Sequence, residues 1–183
     1  MLIEKGADVN AEQGWLAYAL QATSWGGHET IIKLLIEKGA DVNAQGVGFG
    51  YALQAATYGG HEAIVKLLIE KGADVNAGGA HVSSQGGWLG NALNSASYGG
   101  HEAIAKLLIE KGADVNAQRG NLGNALQAAS FEGHKAIAKL LIEKGADVNV
   151  QGGEYGNALG AALSAGHEAV AKLLIEKGAD VSA

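Results

Sequence analysis

A twelve-residue segment recurs almost unchanged along the whole chain. It reads Lys-Leu-Leu-Ile-Glu-Lys-Gly-Ala-Asp-Val-Asn-Ala at 33–44 and returns at 66–77, 106–117, 139–150 and 172–183. The glycines of its Gly-Ala-Asp-Val motif are spaced by 33, 33, 40, 33 and 33 residues, at Gly6, Gly39, Gly72, Gly112, Gly145 and Gly178. A fixed period of this length predicts a solenoid of stacked repeats, and one repeat carries seven additional residues.

The period divides the chain into a half repeat and five full repeats. The boundaries lie at 1–11, 12–44, 45–77, 78–117, 118–150 and 151–183. One repeat has too little apolar area to fold alone and must stack on its neighbours. We therefore expect a single continuous domain over residues 1–183.

Each full repeat predicts two helices and a loop. In the repeat at 118–150, a short alanine-rich helix is expected over about 124–131, where small side chains allow close approach to neighbours. A second helix is expected over about 135–144, because apolar residues recur there at helical spacing. Gly133 separates the two helices, and Gly145 follows the second, where a left-handed residue commonly ends a helix. The predicted fold class is all-α.

Composition excludes several kinds of site and partner. The chain has no cysteine, which excludes disulfides, thiolate zinc sites and a sulfur nucleophile. Its formal net charge is −6 and it has no lysine- or arginine-rich run, which argues against nucleic acid as a partner. No stretch reaches the ~20 apolar residues that span a bilayer. We expect a cytoplasmic protein that binds neither nucleic acid nor membranes.

With Gly-His between the two helices and Gly-Ala-Asp-Val-Asn-Ala after them, the chain resembles the ankyrin repeat family over its whole length. The family's usual Thr-Pro-Leu-His is replaced by Asn-Ala-Leu-Asn at 91–94 and Asn-Ala-Leu-Gln at 124–127. This variant is similar to the ankyrin arrays of fungal nucleotide-binding, innate-immunity-like signalling proteins. In place of the hydrogen bonds that the family's threonine and histidine make between repeats, Asn124 or Gln127 could serve.

The resemblance implies an ankyrin-repeat solenoid of stacked antiparallel helix pairs with hairpin loops. In the family, the hairpins and the first helices form a concave surface that binds other proteins. Enzymatic activity is not a family property. We therefore expect a non-enzymatic scaffold with a protein partner and no cofactor.

Five histidines occupy the same place in successive repeats, at His28, His61, His101, His134 and His167. Packed helices lie ~8–10 Å apart, whereas a zinc ion needs three or four ligands at ~2 Å. Equivalent histidines of adjacent repeats cannot share a metal. We expect each to bond backbone near the start of the second helix, and we expect no metal site.

An aromatic series lies three residues before these histidines: Trp25, Tyr58, Tyr98 and Phe131, with Ser164 ending it. Two interpretations stay open, because aromatic residues dominate both cores and binding hot spots. The rings either pack between repeats or form a ridge that contacts a partner.

The most divergent column lies thirteen residues before each histidine: Trp15, Gly48, Trp88, Asn121 and Glu154. A position this variable is not required by the scaffold, and in the ankyrin family it lies near the hairpin tip. Trp15 and Trp88 are therefore the strongest candidate anchors for a partner. The Gly/Ser-rich insertion at 77–87 holds His81 and is either a tolerated surface loop or a finger that closes over a partner. The candidate partner-binding residues are Trp15, Trp25, Tyr58, His81, Trp88, Tyr98, Asn121, Phe131 and Glu154.

Two other functions stay open. One is a small-molecule binder or atypical enzyme that uses an aromatic groove around Trp15, Trp25, Tyr58 and Trp88, although no convergent acid, base or metal set supports it. The other is a designed or consensus array without a partner. Neither end carries the polar face of a capping repeat, so the chain is either excised from a longer array or associates head to tail.

Overall fold

The computed structural model describes residues 10, 19–46, 50–78 and 90–181. Within them, ten α-helices form five consecutive pairs, which confirms the all-α prediction. Pairs one to five are α1 (Ala19–Trp25) with α2 (Glu29–Glu37), α3 (Ala52–Tyr58) with α4 (Glu62–Glu70), α5 (Ala92–Gly99) with α6 (Glu102–Glu110), α7 (Ala125–Phe131) with α8 (Lys135–Glu143), and α9 (Ala158–Ser164) with α10 (Glu168–Glu176).

Short polar residues and glycines set the helix ends. Asn91, Asn124 and Asn157 cap α5, α7 and α9, each accepting a bond from the backbone N–H three residues on. A cap of this kind contributes about 1 kcal/mol. Gly145 follows α8 with a φ of 93°, as predicted for a left-handed helix end. The predicted bounds were one residue too long, because Asn124 and Lys144 are caps.

One apolar core runs through all five pairs. The first helices are almost wholly buried: every residue of α7 before Phe131 lies inside. Each second helix buries one face, as α6 does with Ile104, Ala105 and Leu108. These residues form a single hydrophobic cluster that extends from Leu20 to Ala179. No pair has a core of its own, so each depends on its neighbours.

The stack curves with the first helices inside. Neighbouring first helices, such as α5 and α7, pack along their whole lengths, whereas neighbouring second helices touch at few points. Alanine side chains permit that close approach, and the bulkier leucine-rich second helices spread apart. The first helices and the loops that precede them therefore line the concave side.

A ladder of asparagines joins the loops that follow the second helices. Asn116 donates its Nδ2 to the Gly145 carbonyl at 3.0 Å and accepts from the Asp147 N–H at 2.9 Å. Asn76 makes the same two bonds to Gly112 and Asp114, at 3.0 and 2.9 Å. The other rungs are Asn10, Asn43 and Asn149. Each asparagine thus fixes its loop to the loop of the next pair.

A second ladder joins each first helix to the hairpin of the next pair. Gln127 donates its Nε2 to the carbonyls of Gly152 and Gly156, at 2.7 and 3.3 Å. Equivalent bonds come from Gln21, Gln54 and Asn94. Of the two residues predicted to replace the family's inter-repeat bonds, Gln127 makes them and Asn124 caps its own helix.

None of the helices in the described ranges is long and apolar enough to cross a membrane.

Candidate functional site

The aromatic series lies at the C-terminal ends of the first helices, on the concave side. Trp25 ends α1 and is 48% exposed, and Tyr58 ends α3 and is 44% exposed. Tyr98 and Phe131, in the next two pairs, are half-buried, and Ser164 is exposed. Large exposed rings on otherwise buried helices are a feature of contact surfaces.

Two ring stacks divide this series. Tyr58 and Tyr98 stack with their centroids 6.4 Å apart and their planes at 19°. Phe131 stacks on Tyr155 of the next hairpin, with a centroid distance of 4.8 Å and an angle of 20°. The second stack covers Leu122 and Ala128 in a small cluster of its own. Packing therefore accounts for Phe131, whereas Trp25 and Tyr58 keep about half of their surface in solvent.

Histidines hold the carbonyls of these aromatic residues. The Nε2 of His61 lies 2.9 Å from the Trp25 carbonyl oxygen, and that of His134 lies 2.9 Å from the Tyr98 carbonyl oxygen. Because a carbonyl only accepts, Nε2 carries the proton. The predicted acceptor near the start of the histidine's own second helix was wrong: these histidines cap that helix without a side-chain bond and reach back to the preceding pair.

The reach of each histidine depends on a glycine. Gly100 has a φ of 76°, and a Cβ built on it would lie 2.7 Å from the ring of His134. Any side chain at Gly100 would displace the imidazole that bonds the Tyr98 carbonyl. The Gly-His dipeptide thus fixes the backbone of the aromatic residue in the preceding repeat.

Glu132 lies beside Tyr98, immediately after α7. The Tyr98 hydroxyl donates a hydrogen bond to the Glu132 carboxylate. Burial, this hydrogen bond and the negative charge of Glu132 raise the pKa of Tyr98 from 10.0 to about 12. The phenol stays protonated because its ionised form would lose a hydrogen bond and face a second negative charge.

The raised pKa of Tyr98 has a measurable consequence. In an ultraviolet titration of tyrosinate, one phenol of the folded chain should ionise near pH 12, and Tyr98→Phe should remove that step. An unfolded tyrosine ionises near pH ~10, so the unfolded chain releases this proton first. The contribution of Tyr98 to stability is therefore complete below pH ~10 and is lost between about 10 and 12. A Tyr98 step near pH ~10 in the folded chain would contradict the Glu132 contact.

The hairpin tips bring the divergent column together in the last two repeats. Asn121 and Glu154 are both exposed, and the Glu154 N–H donates to the Asn121 carbonyl at 2.8 Å. Arg119, also exposed, has its Nη1 3.5 Å from the Gly78 carbonyl. The candidates Trp15, His81 and Trp88, and also Gly48, lie outside the described residues.

Charge is distributed unevenly between the two sides. Every lysine of the described ranges lies on a second helix or at its C-terminal cap. The described first helices, hairpins and Gly-His turns hold only three residues with full charges, Arg119, Glu132 and Glu154. In the same ranges no group of three His, Asp or Glu side chains is placed to hold a metal ion. The concave side therefore offers aromatic faces, amides and carboxylates, which are the groups of a recognition surface.

The sequence interpretation missed Tyr155 and Glu132. Tyr155 belongs to a column that holds Leu16, Phe49, Leu89 and Leu122 one period apart, and that apolar regularity would have revealed it. Glu132 stands where the earlier repeats have Gly26, Gly59 and Gly99, so it was visible as a departure. The contact of Glu132 with Tyr98 joins two repeats, and a sequence column does not show such a contact.

Family models confirm the resemblance. A model described as ankyrin repeats (3 copies) matches residues 45–119 and 93–183, and one described as ankyrin repeats (many copies) matches residues 15–69. A comparison with curated proteins found no match. Together with the stacked helix pairs, the matches over 15–183 show that this chain belongs to the ankyrin repeat family.

Proposed function

We propose that this chain is a scaffold that binds a partner protein on its concave side. Ankyrin repeats are in general protein-protein interaction modules without enzymatic activity. The observation that carries the proposal is the exposure of Trp25 and Tyr58, two large rings at equivalent places on neighbouring helices that are mostly buried. Tryptophan and tyrosine are enriched among interface residues that contribute most to binding.

The proposed contact surface extends from these rings to the hairpin tips. Among the described residues it comprises Trp25, Tyr58, Tyr98, Phe131, Asn121 and Glu154. Trp15, His81 and Trp88 belong to it by their sequence positions alone. The repeat boundaries, the cytoplasmic location, and the narrower similarity to fungal signalling proteins stay predictions.

The double variant Trp25→Ala/Tyr58→Ala tests this surface. Proteins captured from a lysate by the wild-type chain are quantified against those captured by the double variant and by Ile31→Ala. Ile31 is a partly exposed side chain on the second helix α2, away from the proposed surface. Loss of two central aromatic contacts should weaken a specific partner by about 2 kcal/mol or more, or ~30-fold.

The result expected is capture by the wild type and by Ile31→Ala, with loss in the double variant. Equal capture by all three chains would place the contact elsewhere. A small molecule that binds in place of any protein would support the alternative of an aromatic ligand groove. Thermal unfolding of each variant shows that lost capture is not lost folding.

Head-to-tail association is a second candidate contact. Leu163 and Ile175 of the fifth pair are exposed, whereas the residue equivalent to Leu163 in pair four, Ser130, is fully buried. The exposed apolar pair lies where a further repeat would pack in the inner part of the array. Light scattering on the capture samples tests it, and the mass of a single chain at all concentrations would contradict it.

A further inference from the structure

An aromatic face and a carboxylate lie side by side on the concave surface. Tyr58 exposes much of its ring and stacks on Tyr98, whose hydroxyl bonds the Glu132 carboxylate. We call these three side chains the Tyr58–Tyr98–Glu132 patch. With ring centroids 6.4 Å apart and a direct bond from the second ring to the carboxylate, the patch lies within the span of one long side chain.

The carboxylate of Glu132 keeps capacity for a further bond. A carboxylate offers about four acceptor positions, and Tyr98 uses one of them. Glu132 forms no ion pair with any lysine or arginine in the described ranges. A half-buried carboxylate in this state favours a cation supplied from outside.

The repeat itself does not require this charge. Glycine stands at the same place in three other repeats, at Gly26, Gly59 and Gly99, and alanine stands there in the last, at Ala165. The four corresponding helix pairs form without a carboxylate at that point. Glu132 is therefore an addition to the concave surface and not a part of the scaffold.

We propose that the Tyr58–Tyr98–Glu132 patch binds an arginine side chain of the partner protein, with the guanidinium against the Tyr58 ring and hydrogen-bonded to Glu132. A guanidinium is planar, stacks on aromatic faces, and donates two parallel N–H bonds to one carboxylate. An ammonium is a compact and strongly hydrated point charge, so it fits this combination less well. The inference rests on the proposed function, because it names the partner's chemistry at that same surface.

Matched peptides test the proposal by nuclear magnetic resonance titration, which measures weak binding. The probes are acetyl-Gly-Leu-Arg-Leu-Gly-amide and its citrulline counterpart, which keeps the shape of the side chain and loses its charge. The arginine peptide should shift the ring resonances of Tyr58 and Tyr98 in a saturable way and bind about tenfold more tightly than the citrulline peptide, as expected for a charged hydrogen bond. A lysine peptide should bind between the two.

Glu132→Gln isolates the charge. The amide oxygen still accepts from Tyr98, so the fold should persist, and the arginine peptide should fall to the affinity of the citrulline peptide. Glu154→Gln, at the exposed hairpin tip, is the matched control and should bind both peptides as the wild type does. If thermal unfolding shows Glu132→Gln to be less stable, Glu132→Gly repeats the test with the residue that other repeats carry there.

Equal affinity for the arginine and citrulline peptides, or an unchanged arginine affinity in Glu132→Gln, would overturn the proposal. The proposed function has a separate readout. If Trp25→Ala/Tyr58→Ala abolishes protein capture while neither peptide binds, the scaffold stands and the arginine site fails. If the arginine peptide binds as expected but capture survives the double variant, the arginine site stands and the main contact lies elsewhere.

Discussion

Replacing Leu108 with alanine should lower the free energy of unfolding by about 2–5 kcal/mol. Leu108 lies at the centre of α6 in the middle pair and is 0% exposed. Its truncation removes apolar contacts and leaves a cavity that rigid neighbours on both sides fill only in part. Because the core is continuous through the five pairs, the loss also weakens the packing of pairs two and four. Urea unfolding followed by circular dichroism measures the effect.

Leu163→Ala is the matched control for this substitution. It removes the same atoms from a helix, but Leu163 is 62% exposed. Its effect should stay within about 0.5 kcal/mol, as is usual for surface positions. If the two variants lost similar stability, burial in the shared core would not be what stabilises the array.

Gln127→Ala should cost about 2–4 kcal/mol, since its side chain makes three hydrogen bonds. Nε2 donates to the carbonyls of Gly152 and Gly156, and Oε1 accepts from the Asn124 N–H at 2.8 Å. Alanine removes all three and leaves the buried Asn124 N–H without its acceptor, which alone costs about 1–3 kcal/mol. Equilibrium unfolding gives the total, and hydrogen exchange at Asn124 should become faster.

Gln118→Ala provides the comparison for Gln127. Gln118 is exposed, and its Nε2 donates to the Gln151 carbonyl at 3.2 Å, so it too joins two repeats. Water replaces an exposed bond of this kind at little cost, and the expected change is below about 0.5 kcal/mol. A small effect of Gln127→Ala, equal to that of Gln118→Ala, would show that the ladder between first helix and hairpin contributes little.

The sequence predicts the scaffold well because the scaffold depends on local rules repeated five times. Helical spacing of Ile137 and Leu141, the breaks at Gly133 and Gly145, and the period of 33 each act within a single repeat. Errors in the helix bounds came from Asn124 and Lys144, where a cap and a first or last turn have the same composition.

The candidate site is less predictable because its geometry arises between repeats. His134 reaches the Tyr98 carbonyl, 36 residues earlier in the chain. Tyr155 covers Phe131, and Glu132 bonds Tyr98, in both cases across a repeat boundary. A column of equivalent residues shows what varies, but it does not show which neighbour a side chain meets. The exposure of Trp25 and Tyr58 against the burial of Phe131 was therefore open until the packing was known.

The asparagine ladder has a consequence for how such arrays can be altered. Asn76 reaches Gly112 and Asp114 across the longer repeat at 3.0 and 2.9 Å, the same lengths as the bonds that Asn116 makes across a repeat of ordinary length. Gly78 and Asn91 still form a bridge at the base of the inserted segment. The spine therefore registers successive modules independently of loop length. Foreign loops of varied size could be grafted between positions 78 and 91, which would diversify recognition while the pitch of the array stays constant.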